Sequence, residues 1–488
     1  MKVSMKMFSS FTFGMGLMAC LSIPGWSQIN NSVYFMTGVP QSNRVNPAFQ
    51  PNCGSYIGIP FLAPMRMELS SNSLSYKDII YEHPFQDSLI TFLHPEGDKQ
   101  AFLDLLKPMN YVVSDLRSSI VSIGFRTNLG FFTIDMTTRT DGAVSFPEDL
   151  PNLLLNGTVD GETYQLDGIG AELSAFDELS LGWSYSILDN LQVGGRAKML
   201  FGLGDITTSR SNLSVTTSQE AWNIQSDMMV RASLPFAEVI YDEEGMIEDI
   251  VLDEEIESFE PFALPRYIFN FQNPGFAADI GVNYHPIDQL QLSASVLDLG
   301  FITWKDEVHD ATYEMEYDFI GFELDPLELS DDYSFGNFLD SSFSQMGDSL
   351  LNYLEFAQGR TYSKRLNTKL YVGASYSINP NISFGLLSRT DFLRNHISHQ
   401  LTATANFNTG RILNFTLSYS YKNFYPKNLG AGVSLNFGPV NLYVISDNSL
   451  NALFWPQEAR SVNLWFGINV VLGYKQCSAV DGDRPLLY

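Results

Sequence analysis

Leu179, Leu181, Trp183, Tyr185 and Ile187 alternate with Ser180, Gly182, Ser184 and Ser186, so one extended segment carries an apolar face and a face of small polar side chains. The same two-residue period runs through 290–296, 413–421 and 462–474. Strands of this kind are expected at 121–126, 132–137, 179–187, 191–201, 278–284, 290–297, 370–378, 382–386, 401–407, 413–421, 429–437, 440–445 and 462–474. Weaker candidates lie at 65–70, 166–173 and 221–231, which brings an even total of fourteen or sixteen within reach, as a single-chain barrel requires. Two windows follow a helical period instead. Phe85, Leu89, Phe92 and Leu93, then Phe102, Leu103, Leu105 and Leu106, predict one or two short helices on or inside a barrel mouth. Phe343, Met346, Leu350, Leu351 and Leu354 predict a loop helix over 340–356.

Alternation alone also fits a soluble β-sandwich, so the polar face has to separate the two folds. That face is Ser, Gly, Asn, Thr and Gln with few charges, whereas a solvated sheet would carry Lys and Glu. The apolar face holds wide aromatic side chains, and Tyr185, Tyr284, Tyr421 and Tyr474 stand at or near strand ends, where a membrane-interface girdle would place them. The fold expected is an all-β transmembrane antiparallel barrel of about fourteen strands over residues 61–474. Links at 378–381 and 437–440 read as periplasmic turns. Two long segments, 238–260 with eleven acidic residues and 306–348 with thirteen, contain no Lys or Arg and read as outside loops with solvated charge.

Composition adds the compartment. Lys2 and Lys6 precede an apolar run over 7–23 and then Pro24-Gly25-Trp26-Ser27, a signal peptide with cleavage expected after Ser27. Leu17-Met18-Ala19-Cys20 is the rival reading, a lipoprotein box with Cys20 lipidated. Export to the outer membrane of a Gram-negative bacterium follows. No later stretch is long and apolar enough to span a bilayer as a helix. Removing two lysines from the 28 basic residues leaves 26 against 55 acidic ones, a formal charge of −29, so nucleic acid is not an expected partner. Cys53 and Cys477 remain after cleavage at Ser27, one near each end, and are open to pairing or to staying free.

No catalytic or metal-binding constellation emerges, and no cofactor or enzyme activity is expected. His396 and His399 fall on opposite faces of a strand, and Asp481-Gly482-Asp483 is too short for a calcium loop. Arg196 and Lys198 share the polar face of one strand, which directs both cations into a lumen. They would there bind a ligand carboxylate, or pair with lumen acids such as Asp135 or Asp279.

Ser32-Val33-Tyr34-Phe35-Met36, Val39-Pro40-Gln41-Ser42-Asn43 and Asn46-Pro47-Ala48-Phe49-Gln50-Pro51 open the mature chain. Further on, the Ala-x-Asp-x-Gly strand around Asp279 is followed by Leu292-Ser293-Ala294-Ser295 and Leu297-Asp298-Leu299-Gly300, leading to Trp304. Together they resemble an uncharacterised family of Bacteroidota outer-membrane proteins related to FadL-like and PorV-like barrels. The resemblance implies a fourteen-stranded barrel with an inward-folded hatch, here 28–60, whose plug element is Asn46, Pro47, Ala48 and Phe49. It implies a hydrophobic small-molecule ligand entering from outside and leaving by a lateral or periplasmic route, with outer-membrane lipid around the barrel. A PorV-like role would instead make the barrel a docking element for envelope protein partners in secretion, gliding or surface assembly. Residues 475–488 form a tail.

Overall fold

An extended segment with two unlike faces leaves its peptide groups unpaired until neighbours supply a ladder, and here that ladder closes on itself. The computed structural model describes residues 31–36, 38–51, 54–83, 87–241, 247–252, 268–320, 353–393, 397–409, 412–422, 429–448 and 460–473. They form a closed antiparallel barrel of fourteen strands. In chain order the wall is Ser55–Gly58 together with Met65–Ser71, then Met109–Thr127, Gly130–Pro147, Gly170–Leu188, Leu191–Thr217, Pro274–Ile287, Leu290–Trp304, Tyr362–Arg365 together with Thr368–Asn379, Ile382–Phe392, Ile397–Asn408, Leu413–Lys422, Leu429–Phe437, Val440–Ser446 and Ser461–Leu472. The last strand meets the first at Met65↔Phe466 and Ser55↔Leu472. The expected barrel and its strand number are therefore what the chain adopts.

Side chains sort by parity as the pattern requires. Asp279 is 1% exposed and its neighbour Ile280 62%, and Leu181, Trp183, Tyr376 and Leu386 are likewise exposed on the outside. Five turns at one end are short, between Thr127 and Gly130, Leu188 and Leu191, Ile287 and Leu290, Asn379 and Ile382, and Phe437 and Val440. The long connections all leave the other, loop end. Among the described residues no helix is long and apolar enough to cross a membrane.

Five expectations change. The 221–231 strand forms as Trp222–Ser233 but stands off the wall, between the outer half of Leu191–Thr217 and Val308–Phe319. The 166–173 candidate is the start of Gly170–Leu188, not a strand of its own. Leu89–Thr91 pairs with Ile80–Glu82 as a strand, so among the described residues of the 84–116 window only Lys99–Leu103 is helical, capped by Asp98. Within the acidic 306–348 segment, Val308–Phe319 is a strand that receives Leu354–Gln358, the end of the expected loop helix. Tyr313-Glu314-Met315-Glu316-Tyr317-Asp318-Phe319 alternates cleanly, and its acids face outward, so charge density did not preclude pairing. The 238–260 segment likewise holds a hairpin, Ala237–Tyr241 with Ile247–Leu252. Residues 340–352, the signal region, Cys53, Tyr474, Cys477 and His396 lie outside the described residues. His399 sits on the exterior face, with Nδ1 3.0 Å from the Thr390 hydroxyl.

Candidate functional site

The lumen is divided into three layers along the barrel axis. Nearest the short turns lies the chain's own N-terminal segment. Its two 3-10 turns, Ser32–Phe35 and Pro40–Arg44, are buried against the inner wall, and Val33, Tyr34, Phe35, Val39, Val45 and Phe49 pack with Leu297, Tyr371, Leu387, Tyr443, Ile445 and Trp465. This is the apolar core of the molecule, and the barrel strands contribute Leu297, Tyr371, Leu387, Tyr443, Ile445 and Trp465 to it. Room for it comes from small inward residues: Gly373 and Gly385 lie against the Phe35 ring, and Gly432 against Met36. Polar ties fix the segment in place. Asn46 Nδ2 donates to the Tyr34 hydroxyl at 3.1 Å and to the Val282 carbonyl at 3.2 Å, and Ser295 Oγ donates to the Val45 carbonyl at 2.6 Å. Asp447 accepts from the backbone of Asn31 and Ser32 and from the Ser32 hydroxyl. Asn46 and Ala48 are fully buried and Phe49 nearly so. The inward segment ends by Pro51, since Ser55 already belongs to the wall.

Above the plug stands a layer of buried ions. Asp298 is its centre: Lys198 Nζ lies 2.6 Å away, Arg139 Nη1 2.9 Å, Lys369 Nζ 3.4 Å and Arg117 Nη2 3.6 Å. Four cations converge on one carboxylate, drawn from four other strands of the wall. Around them, Arg139 also reaches Glu178 at 3.0 Å, Lys198 reaches Asp279 at 2.8 Å, Arg117 holds Asp115 at 2.8 Å, and Arg389 holds Asp391 at 2.8 Å. All of these charges but the partly exposed Arg117 are buried, a placement tolerated only when partners surround them. Arg196 and Lys198 do point inward, as parity implies, and both stand among wall acids: Arg196 lies 3.5 Å from Asp279 and 3.9 Å from Asp135, and Arg44 of the plug takes Asp135 at 2.7 Å. Asp298 was not singled out from sequence as a site, because its partners are dispersed over the whole chain.

The third layer, at the loop end, is open. A cavity of about 110 Å3 lies there, with Phe176, Ile302, Trp304, Leu366 and Val113 among its lining. Its polar edge includes Lys364, whose Nζ donates to Ser174 Oγ at 2.9 Å and to Asp205 at 3.0 Å; the Tyr362 hydroxyl donates to the same carboxylate at 2.7 Å. Neither Arg196 nor Lys198 lines this cavity. Sequence reading missed it because Ile302 and Trp304 reach it only after a shift in strand phase at Asp298. Among the described residues no group of three or more His, Cys, Asp or Glu is placed to hold a metal ion.

A closed fourteen-stranded barrel, stoppered by its own N-terminal segment and braced by a buried ionic layer, defines the class of protein. The chain belongs to DUF5723, a family of unknown function whose model matches residues 47–447. No curated protein matches it. Among solved structures, the toluene transporter TbuX of Ralstonia pickettii is 8% identical, over 88% of this chain and 93% of its own, with a TM-score of 0.39. The toluene transporter TodX of Pseudomonas putida is 7% identical over 92% and 94%, at 0.35. A FadL homologue of Pseudomonas aeruginosa is 10% identical over 91% and 96%, also at 0.35.

Proposed function

We propose that the chain is a non-enzymatic outer-membrane barrel that takes up small hydrophobic or amphipathic molecules at its loop end and passes them inward. The apolar exterior of a closed barrel supports the membrane setting, since such a surface is stable against lipid and not against water. The observation that carries the uptake reading is the cavity walled by Phe176, Ile302, Trp304 and Leu366, an apolar recess at the loop end, on the far side of the ionic layer from the plug. The test is accumulation of a labelled hydrophobic compound by cells with and without the protein. Reduced accumulation on deletion, restored by the full chain, is the expected result; unchanged accumulation contradicts it.

A second reading draws on the filling of the lumen: plug and ionic layer together occupy the path between the cavity and the short turns. A barrel that conducts nothing would serve as a docking element for envelope proteins. Crosslinking in intact envelopes that recovers no stoichiometric partner excludes it.

A further inference from the structure

The apolar cavity adjoins a second, polar one of about 50 Å3. Tyr111, Val113, Asp141, Asn367 and Leu393 line both, so the two are halves of one recess. Engineered apolar cavities of roughly 150 Å3 accept a single aromatic ring, and a water-sized group needs roughly 10–15 Å3, so the recess suits a short apolar body with a compact polar head.

The charge of the polar half decides what that head is. Its lining carries Glu68, Asp115, Asp141 and Asp391 against Lys369 and Arg389. Both cations are engaged, Lys369 with Asp115 at 3.5 Å and Asp298 at 3.4 Å, Arg389 with Asp391 at 2.8 Å. The acids are paired in turn, Glu68 and Asp115 with Arg66 at 3.1 and 3.5 Å, Asp115 also with Arg117 at 2.8 Å, and Asp141 with Arg139 at 3.3 Å, so a carboxylate or phosphate entering here must displace an internal partner from a pair already made. The neutral groups of the lining, Ser114, Ser398, Asn367 and Tyr111, are hydroxyl and amide side chains suited to a hydroxylated head. Arg365, on the apolar half, is solvent-exposed and forms no ion pair among the described residues. Solvent screening leaves such a charge little hold on an anion.

Resting on the reading of this recess as a capture site, we propose that its ligand is an uncharged, hydroxylated amphiphile with a short apolar body, not a carboxylate amphiphile.

The full chain in lipid nanodiscs, with empty nanodiscs subtracted, is titrated calorimetrically with monooctanoylglycerol and separately with octanoate. The neutral glyceride is expected to bind about tenfold more tightly or better, the discrimination of one well-made polar contact, and Asn367→Leu to weaken it by about the same factor. Should Asn367→Leu lose heat-modifiable migration and so fail to fold, Ser114→Ala carries the same expected loss. Tighter binding of octanoate, abolished in Arg365→Gln, overturns the proposal and leaves the uptake reading standing. Binding of neither probe also overturns it, and accumulation in the deletion strain then decides the uptake reading separately.

Discussion

Asp298 has a left-handed backbone, φ 58°, an uncommon conformation for a residue with a side chain. Its position explains the departure. On the Leu290–Trp304 strand, Ser293, Ser295 and Leu297 face inward; Asp298 also faces inward, and from there Ile302 and Trp304 do, while Leu299 and Phe301 are exposed. The irregular register opposite Ala278 and Ile280 changes the phase of the strand at this point. Strict alternation would have sent the carboxylate of Asp298 to the apolar outside of the barrel. For this reason the inward direction of Arg196 and Lys198, and their nearness to Asp135 and Asp279, were legible from parity, whereas the centre of the layer was not. Replacing Asp298 by Asn leaves Arg139, Lys198 and Lys369 short of a counter-charge in a buried setting. The expected cost is about 3–5 kcal/mol of stability, the usual consequence of removing one partner of a buried pair. Urea titration of the purified variant, followed by loss of heat-modifiable migration, measures it; an unchanged midpoint contradicts the central role given to Asp298.

At the level of elements, the wall and the plug are matched by side-chain size. Asn46 Oδ1 accepts from the Ala48 amide at 3.0 Å, folding Asn46-Pro47-Ala48 into a tight turn that lies directly on Gly194 and Gly281. A side chain at either glycine would occupy the space of that turn. Gly281→Val is therefore expected to displace the turn and to raise amide hydrogen exchange across 43–49 at least about tenfold, as local opening becomes less costly, while the wall strands keep their protection. Equal exchange in the two proteins would mean that the plug is not held by this contact. The run of small polar residues was visible in the sequence and served there to separate a barrel from a soluble sheet. Its second consequence, space for a chain segment, depends on which strands face one another across the lumen, which alternation does not encode. Charge misled in the opposite direction: acidity made 306–348 read as a loop, yet Val308–Phe319 pairs along its whole length with Trp222–Ser233.

For the whole molecule, the order plug, ionic layer, cavity places two obstructions in series between the loop end and the short turns. The ionic layer joins the Met65–Ser71, Met109–Thr127, Gly130–Pro147, Leu191–Thr217, Leu290–Trp304 and Thr368–Asn379 strands through Arg66, Asp115, Arg117, Arg139, Lys198, Asp298 and Lys369. It is expected to block ions by itself, since a permeating ion would have to break buried pairs. Deleting residues 31–50 should then leave a planar bilayer at its baseline conductance, with Asp298→Asn in the same background opening it. An ohmic pore from the plug deletion alone would assign the seal to the plug.

If hydrophobic molecules enter through the loop-end cavity, filling that cavity stops their uptake. Ala143 lines it from the Gly130–Pro147 strand, and the half-buried methyl group leaves space that an indole would occupy. Accumulation of a labelled amphiphile is measured in cells producing wild-type protein or Ala143→Trp at equal, heat-modifiable levels in the outer membrane. Ala143→Trp is expected to lower accumulation to that of the deletion strain; accumulation equal to wild type would contradict uptake through this cavity.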